Sequence, residues 1–545
     1  MSSMIVAPQP IAVEEGAKVL MKGGNAVDAA VTCALIQSVV SPQMCGIGGY
    51  MILTLHVAGP TAGCLSISLD APALAGSKVS PQMWEEKLIR PNPDGWGYFL
   101  EGKVNELGCQ SICTPGTVKG LTAMLERWGT LSWKRAIGPA VRLAEDGFVV
   151  DGHLAAGWRK RAGHSESSTL LDCIAGNAEA RRIYLKKDGA PYDEGEILHN
   201  PDYGRALLQL AERGTDDFYH GDLARRMSDD LAANGSFVTA EDLARYQVRN
   251  GESVLGTYRG FTIATAPPPH GGPTLLAILN ILEGYDIAAL GHNSPDYVFL
   301  VSMAMKAAFA DRNPYMGDPE FADLPLEWMI SKERAEEWRR HIDAGKPIQV
   351  AFAPPEPADT THVSIVDEHG NCVALTHSLG MSSGVITPGL GFMYNNSMVN
   401  FNPLPDHANS IAPRKGRTTG MTPTIVYGRA PGQGRNDRPV LVIGAPGATR
   451  IITSIAQVVL NVIDFGMGIS EAVLAPRFDC QGDLIKCQAR IPEYVCAEVR
   501  KKHPIERLPQ SHGGLGLVHA IAVDPETGML SGAADTGSGG MALEV

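Results

Sequence analysis

The sequence predicts a mixed α and β protein that is rich in helices over its first two-thirds and rich in strands over its last third. Before residue 345, apolar residues recur with helical spacing. After residue 360, short runs alternate apolar and polar residues. Between these regions, residues 345–359 hold Pro347, Pro354, Pro355 and Pro357. That composition predicts an exposed, extended segment with little regular structure.

The helices of the first region follow from apolar spacing and from stop signals such as Gly23 and Gly24. Asn25 can cap the second helix, because its side chain accepts hydrogen bonds from the first turn. That helix is rich in Ala, Val, Leu and Ile, and we expect it to be buried on most sides. The predicted helices are residues 11–21, 26–40, 118–128, 133–145, 204–211, 223–233, 273–282 and 297–311.

The strands are predicted at residues 51–57 and throughout the last third of the chain. Val363 and Ile365 alternate with polar residues, as do Val373 and Leu375, and the turn-forming residues 367–371 between them predict a hairpin. Further strands are predicted at residues 424–427, 439–443, 518–523 and 529–534, with helices at residues 450–462 and 469–474. No internal repeat is present.

Composition excludes several classes of function. The 545 residues carry a formal net charge of −13, which disfavours a general nucleic-acid or anionic-membrane binder. The longest apolar stretch, residues 29–40, is too short to span a bilayer. Residues 1–16 have neither the basic nor the apolar region of a signal peptide, so we expect a cytoplasmic protein without a membrane partner.

The ten cysteines do not form the spacing of a zinc site. Cys109 and Cys113 are the closest pair, and no second pair or histidine pair completes the pattern, so we expect buried free thiols, no metal and no cofactor. The sequence also lacks an HExxH motif, a Walker A motif and a GxGxxG motif after a strand.

The chemistry of the chain centres on Asp359-Thr360, at the junction of the Pro-rich segment with a predicted strand. A threonine hydroxyl is a poor nucleophile unless a base lies beside it. Cleavage of the bond between residues 359 and 360 would give Thr360 a free α-amino group that titrates near neutrality, within reach of its own hydroxyl. From this window alone, a simple capped strand entry remains the alternative.

Short motifs over nearly the whole chain favour the first interpretation. They are residues 23–30 (GGNAVDAA), 46–49 (GIGG), 114–118 (TPGTV), 258–260 (YRG), 267–269 (PPP), 271–272 (GG), 310–312 (ADR), 360–364 (TTHVS), 395–396 (NN), 421–424 (MTPT), 444–447 (GAPG) and 450–453 (RIIT). In this order they resemble the γ-glutamyltranspeptidase family of N-terminal-nucleophile (Ntn) hydrolases.

The resemblance implies an α+β fold, a four-layer αββα sandwich, and a proenzyme that cleaves itself before Thr360. Residues 1–359 would form the large chain and residues 360–545 the small chain, interlocked in one fold. Thr360 would attack a small-molecule amide and form an acyl-enzyme, which water or an amine acceptor then resolves. The backbone N–H groups of Gly447 and Ala448 match the family's oxyanion hole. Ser378 stands where the family often has a threonine near the nucleophile.

The same resemblance places the acyl pocket at Asn396, Ser397, Asn400, Thr419, Gly420 and Gly380. Here the sequence departs from the family. Asn400 replaces the acidic residue that binds the substrate ammonium, and Ser397 replaces a glutamine. Gly380 replaces an asparagine, and Thr419-Gly420 replaces a serine pair. No arginine adjoins residues 80–84, where the family has a carboxylate-binding arginine.

Several changes at one pocket favour a different acyl group, since loss of one charged partner of a desolvated pair costs about 2–5 kcal/mol of binding. The family's glutaryl acylases and small-acid amidases are side branches of this kind. The alternatives are an ordinary γ-glutamyl hydrolase or transpeptidase in which Arg90 or Arg417 binds glutamate, an unprocessed and inactive binding relative, and a hydrolase with a Ser-His-Asp set.

Overall fold

The computed structural model describes residues 2–59, 66–91, 98–159, 168–351, 359–429 and 436–545. The strands in these residues are β1 (Met4–Ala7), β2 (Tyr50–His56), β3 (Ile67–Ala71), β4 (Leu88–Pro91), β5 (Tyr98–Leu100), β6 (Phe148–Val149), β7 (Ile197–Leu198), β8 (Arg249–Glu252), β9 (Val254–Tyr258), β10 (Phe261–Thr265), β11 (Asp359–Val366), β12 (Cys372–Gly380), β13 (Thr424–Arg429), β14 (Asn436–Gly444), β15 (Phe478–Asp479), β16 (Ile485–Cys487), β17 (Ile505–Arg507), β18 (His519–Val523), β19 (Leu530–Ala534) and β20 (Met541–Glu544).

The α-helices in the same residues are α1 (Pro10–Met21), α2 (Ala26–Val40), α3 (Thr117–Trp128), α4 (Trp133–Asp146), α5 (Gly152–Gly157), α6 (Leu170–Ala175), α7 (Ala178–Tyr184), α8 (Pro201–Arg213), α9 (Asp216–Tyr219), α10 (Asp222–Ala233), α11 (Ala240–Ala244), α12 (Gly272–Leu282), α13 (Pro295–Tyr315), α14 (Leu326–Met329), α15 (Lys332–Asp343), α16 (Arg450–Ile463), α17 (Ile469–Leu474) and α18 (Glu493–Arg500).

Two antiparallel sheets form the centre of the fold. The first has the order β20-β1-β11-β12-β2-β3-β8, and the second has the order β19-β18-β14-β13-β10-β9. Helices α1, α2 and α3 pack on the outer face of the first sheet, and α12 and α16 pack on the second. The inner faces meet where β11 and β12 contact β14. The predicted α+β class and its αββα layering are therefore confirmed.

The alternation of side chains along β11 decides which residues face the space between the sheets. Val363 and Ile365 point into the core beneath α2. Val366 belongs to the core between the two sheets. Because residues two apart share a face, Thr360 and His362 also point between the sheets.

Each sheet contains strands from both sides of residue 359. In the first sheet, β11 and β12 lie between β1 and β2. In the second sheet, β13 lies between β14 and β10. A cut between residues 359 and 360 would therefore leave both pieces hydrogen-bonded within the same two sheets.

The predicted helices and strands are all present, with ends shifted by a few residues. Asn25 forms the predicted cap of α2 and a reciprocal bond with Asp28, and α2 is buried along its whole length.

The prediction for the Pro-rich segment is wrong at Ile348 and at Asp359, which begins β11. Residues 346–351 form no helix or strand, but Ile348 is buried in the core beneath the second sheet, because its side chain is apolar and the neighbouring helices cover it. Residues 352–358, with Pro354, Pro355 and Pro357, lie outside the described residues.

The cysteines that the structure describes are free thiols, as predicted, and Cys109 is half-buried while the others are buried. Cys64 lies outside the described residues. Within the described ranges, no helix has the length and apolar character that crossing a membrane requires.

Candidate active site

Thr360 and Ser378 face each other across strands β11 and β12. Thr360 Oγ1 donates a hydrogen bond of 3.0 Å to Ser378 Oγ. Ser378 Oγ in turn donates a bond of 2.6 Å to the carbonyl oxygen of Asp359, and it accepts a bond of 2.9 Å from the backbone N–H of Gly380. The hydroxyl of the predicted nucleophile is thus linked through one serine to the carbonyl of the bond it is predicted to cut.

The strand pairing is irregular at this bond. Thr360 pairs with Ser378, but Asp359 pairs with Gly380, so the register shifts between residues 359 and 360. Such bulges re-aim side chains and are frequent beside active sites. Thr360 is buried, whereas Asp359 is half-buried.

A tyrosine extends the site along the inner face of the first sheet. Tyr50 pairs with Ser378 across β2 and β12, so Thr360, Ser378 and Tyr50 share the face that points between the sheets. The Arg417 guanidinium lies 4.7 Å above the Tyr50 ring and donates a hydrogen bond to the Tyr50 hydroxyl. Arg417 is only 3% exposed, so it places a buried cation over a neighbour of the nucleophile pair.

The second sheet brings the turn with Gly447 and Ala448, called here the predicted oxyanion turn, to the same space. The strand β14 ends at Gly444, and a Cβ atom there would lie 2.1 Å from the His362 ring, so the strand end rests directly on β11. Gly447 and Ala448 follow at once, with φ values of 137° and 60°. A positive φ is strained for alanine, and strain of this kind is concentrated at functional sites.

The oxyanion turn is supported by close backbone packing. A Cβ atom on Gly447 would lie 2.6 Å from Cα of Gly516, and one on Gly420 would lie 2.3 Å from the carbonyl oxygen of Ala448. The turn also precedes α16, whose N-terminus favours negative charge. The arrangement suits the stabilisation of a developing oxyanion.

Two of the predicted pocket residues carry buried polar atoms without partners. Asn400 is 1% exposed, and neither its side-chain nitrogen nor its oxygen has a hydrogen-bond partner. Ser397 Oγ is likewise buried and without a partner. Met398 and Phe401, which flank these residues, pack in one cluster with Tyr50. Buried polar atoms of this kind call for an explanation, and a ligand that pairs with them supplies one.

Of the other predicted pocket residues, Asn396 and Gly380 lie near Ser378, whereas Thr419 contacts a buried histidine. Asn396 supports the chain near Ser378, because its Oδ1 accepts a bond of 2.8 Å from Met381 N–H and lies 2.6 Å from the position of a Cβ on Gly380. A side chain at position 380 would therefore collide with Asn396. Thr419 is buried, and its Oγ1 lies 2.6 Å from His270 Nδ1.

Burial keeps the histidines of this layer neutral. His362 lies 2.8 Å from Thr376 Oγ1 and 2.9 Å from Ser364 Oγ through its two ring nitrogens. Desolvation lowers the pKa of His362 well below its ordinary value. With both nitrogens engaged, this imidazole is not available as a base for Thr360.

Three comparisons with known proteins show the family and the fold of the chain. A sequence model described as gamma-glutamyltranspeptidase matches residues 12–545. The chain belongs to the γ-glutamyltranspeptidase family. It is 35% identical to the acylase ACY 1 proenzyme of Pseudomonas sp. strain SE83, over 97% of this chain and 91% of that protein. It is 31% identical to the glutathione hydrolase proenzyme of Escherichia coli K12, over 98% of this chain and 90% of that protein.

The crystal structure of cephalosporin acylase from Bacillus halodurans has the same fold, with a TM-score of 0.85 and 25% identity over 99% of this chain and 95% of that chain. The protein is therefore a γ-glutamyltransferase-like enzyme, a hydrolase or transferase, as the sequence predicts.

Sequence reasoning missed two residues of this site in the γ-glutamyltranspeptidase fold, Tyr50 and His270. Tyr50 lies one residue before the predicted strand, and only the strand pairing reveals that it neighbours Ser378. His270 belongs to a predicted turn, where a buried role has no local signal. Of the two arginines considered for the carboxylate, Arg417 lies beside the site, whereas the half-buried Arg90 lies 4.6 Å from the ring of Phe99.

Proposed function

We propose that this member of the γ-glutamyltranspeptidase family is an autoprocessing threonine amide hydrolase or acyltransferase with a remodelled γ-glutamyl pocket. The observation that carries the proposal is the hydrogen-bonded path from Thr360 Oγ1 through Ser378 Oγ to the carbonyl oxygen of Asp359. It aligns a nucleophile, its neighbour and the carbonyl that the nucleophile attacks.

In the first reaction, Thr360 Oγ1 attacks the carbonyl carbon of Asp359. The new C–O bond replaces the C–N bond between residues 359 and 360, and the released nitrogen takes a proton and becomes the α-amine of Thr360. Ser378 Oγ donates to the Asp359 oxygen and so stabilises the negative charge that develops there. Water then hydrolyses the ester and frees the Asp359 carboxylate and the Thr360 hydroxyl.

In the mature enzyme, the α-amine of Thr360 serves as the base for its own hydroxyl. Thr360 attacks the substrate amide, the N–H groups of Gly447 and Ala448 stabilise the oxyanion, and the amine leaves with a proton. The acyl-enzyme then passes its acyl group to water or to an acceptor amine.

The pocket supports an acyl group without an α-ammonium. Asn400 is neutral, and its two unpartnered amide atoms can bind neutral polar groups but cannot offset a buried positive charge. Ser397 and Gly380 also lack charge. The relatives include one protein named as an acylase and one named as a glutathione hydrolase, so similar chains carry the names of both activities.

An ordinary γ-glutamyl hydrolase or transpeptidase is the second candidate. Arg417 favours it, because a buried guanidinium over Tyr50 can bind the carboxylate of a glutamyl group. The same cation suits the terminal carboxylate of a glutaryl group, so Arg417 fits both acyl classes and Asn400 discriminates between them. An inactive binding relative is disfavoured by the preserved path from Thr360 to Asp359.

The deciding experiment compares two substrates on protein that a gel shows to be cut into two chains. γ-Glutamyl-p-nitroanilide and glutaryl-p-nitroanilide differ only by the α-amino group. We expect kcat/KM for the glutaryl compound to equal or exceed that for the γ-glutamyl compound. A γ-glutamyl preference of about a hundredfold, or about 2.7 kcal/mol, would overturn the remodelled pocket. A single uncut band after long incubation would instead support the inactive relative.

A further inference from the structure

A buried histidine connects a carboxylate to one of the pocket hydroxyls. His270 Nε2 lies 3.1 Å from Asp70 Oδ1, and His270 Nδ1 lies 2.6 Å from Thr419 Oγ1. Asp70 is in β3, His270 is in the turn before α12, and Thr419 precedes β13. The three side chains are 5%, 1% and 3% exposed, so they form a buried polar cluster.

The carboxylate decides which ring nitrogen holds the proton. The Asp70 oxygen and His270 Nε2 lack hydrogen-bond geometry, but a carboxylate oxygen only 3.1 Å from Nε2 attracts the imidazole proton to that nitrogen. In the neutral imidazole, Nδ1 then carries a lone pair, and the Thr419 hydroxyl donates its proton to it. The backbone N–H of Met421 donates to the same hydroxyl oxygen at 3.1 Å. In this state, Thr419 can offer only an acceptor to a ligand.

A carboxylate needs the opposite arrangement, because it also only accepts hydrogen bonds. Once His270 carries a second proton, Nδ1–H donates to Thr419 Oγ1, and the threonine proton can turn towards the ligand. The Thr419 hydroxyl then accepts hydrogen bonds from Met421 N–H and His270 Nδ1–H and donates one to the carboxylate. All of its hydrogen-bonding capacity is used.

We propose that Asp70, His270 and Thr419 form a proton-linked selector for the acyl group, in which a carboxylate binds at Thr419 together with one proton taken from solvent by His270. The proposal rests on the proposed function, since it places Thr419 in the acyl pocket. Two contacts support that place: Arg417 lies two residues before Thr419 and over Tyr50, and the next residue, Gly420, packs on Ala448.

The surrounding charges favour proton uptake by His270 only when a carboxylate is bound. Beside Asp70, Arg249 and Asp318 form an ion pair of 2.9 Å and offset each other. On the other side, an Arg312 N–H donates a bond of 3.2 Å to the Thr419 carbonyl. Two cations near Thr419 oppose a positive His270 in the empty pocket, and a bound carboxylate offsets them. The charged and titratable groups that the structure places around the cluster are Asp70, Tyr246, Arg249, Arg312, Asp318 and Arg417.

The test measures protons rather than catalysis. Glutarate is titrated calorimetrically into the cleaved wild-type protein at pH 8, in two buffers of different ionisation enthalpy. We expect the two apparent enthalpies to differ by an amount that corresponds to about one proton taken up per glutarate. Thr419→Ser keeps the hydroxyl and should keep the uptake, whereas Thr419→Val should lose it.

Thr418→Val is the matched control, because it makes the same change one residue away at a half-buried side chain and should bind with the same uptake as wild type. Absence of glutarate binding, binding without proton uptake, or unchanged uptake in Thr419→Val would each overturn the proposal. The proposed function is judged separately, by chain cleavage and by hydrolysis of an uncharged acyl anilide such as butyryl-p-nitroanilide.

Discussion

Thr360 Oγ1 lies 3.0 Å from Ser378 Oγ, and the two hydroxyls point into the space between the sheets from directly paired positions on β11 and β12. The pairing leaves Ser378 able to receive the hydrogen bond of the nucleophile and to donate to the carbonyl of Asp359 at the same time. In the uncut chain, Ser378 thus contacts both the nucleophile and the carbonyl that the nucleophile attacks. Because Ser378 is paired with Thr360 across the strands, we expect it to stay beside Thr360 after cleavage.

The first prediction concerns Thr360 itself. Thr360→Ala removes the hydroxyl, so the chain should remain a single 58.0 kDa band and activity should fall by about three orders of magnitude or more. Thr360→Ser keeps both the hydroxyl and the future amine, so it should still be cut, more slowly. A gel and an anilide assay measure both effects. Cleavage of Thr360→Ala between residues 359 and 360 would show that the nucleophile is assigned wrongly.

The second prediction concerns Ser378. Ser378→Ala removes the donor to the Asp359 oxygen, and loss of one such donor typically slows a reaction by about 10²–10³-fold. We expect the half-time of chain cleavage to lengthen by that factor, measured by gel after synthesis of the precursor. Ser378→Thr keeps the hydroxyl and serves as the matched variant. Equal cleavage rates for the alanine and threonine variants would exclude this role.

The sequence predicts those parts of the fold whose signals are local. Helix α2 has a capping residue at Asn25 and a continuous apolar run, so its bounds are predicted correctly. Strand β1 is missed because its four residues are too short for a period to appear, and its place between β20 and β11 depends on residues more than 350 positions away.

The candidate site divides in the same way. The positions of Thr360 and Ser378 come from the family motif, whereas Tyr50 and His270 enter through contacts between distant segments. Tyr50 is brought to Ser378 by strand pairing, and His270 is brought to Thr419 by the packing of a turn. Neither contact has a signature within a short window of sequence, so a sequence without an alignment could not predict it.

The third prediction changes Asn400 into aspartate. The substitution keeps the size of the side chain and adds the negative charge that an α-ammonium needs. The ratio of kcat/KM for γ-glutamyl- over glutaryl-p-nitroanilide should rise at least about tenfold, or about 1.4 kcal/mol. Asn402→Asp is the matched control, because its Oδ1 accepts a 3.0 Å bond from Leu404 N–H that aspartate preserves. An equal rise in both variants would show that Asn400 does not lie beside the substrate ammonium.

The fourth prediction tests the support of the oxyanion turn. In Gly420→Ala, the new Cβ would lie 2.3 Å from the Ala448 carbonyl oxygen, so the turn must shift. We expect kcat to fall by about 10²–10³-fold, because the N–H donors lose their alignment. Gly468→Ala is the control, since its Cβ would meet no heavy atom within 4 Å. Full activity in Gly420→Ala would show that residues 447 and 448 do not supply the oxyanion hole.

The fifth prediction concerns the contribution of the buried histidines His377 and His519 to the stability of the protein. Burial lowers the pKa of His377 to about 3 and that of His519 to about 4, whereas an unfolded histidine titrates near 6.5. The unfolded chain therefore binds protons first as the pH falls. The stabilising contribution of each neutral imidazole is complete above about pH 6.5 and decreases by about 1.4 kcal/mol per pH unit towards its folded pKa.

Denaturant unfolding of the uncut Thr360→Ala chain at several values between pH 7.5 and pH 4.5 measures this slope without dissociation of two chains. Adding His377→Gln should reduce the slope by about 1.4 kcal/mol per pH unit, because one buried proton acceptor is gone. Adding His220→Asn, at an exposed histidine, should leave the slope unchanged. A slope that the two added substitutions change equally would mean that the buried histidines do not cause the loss of stability in acid.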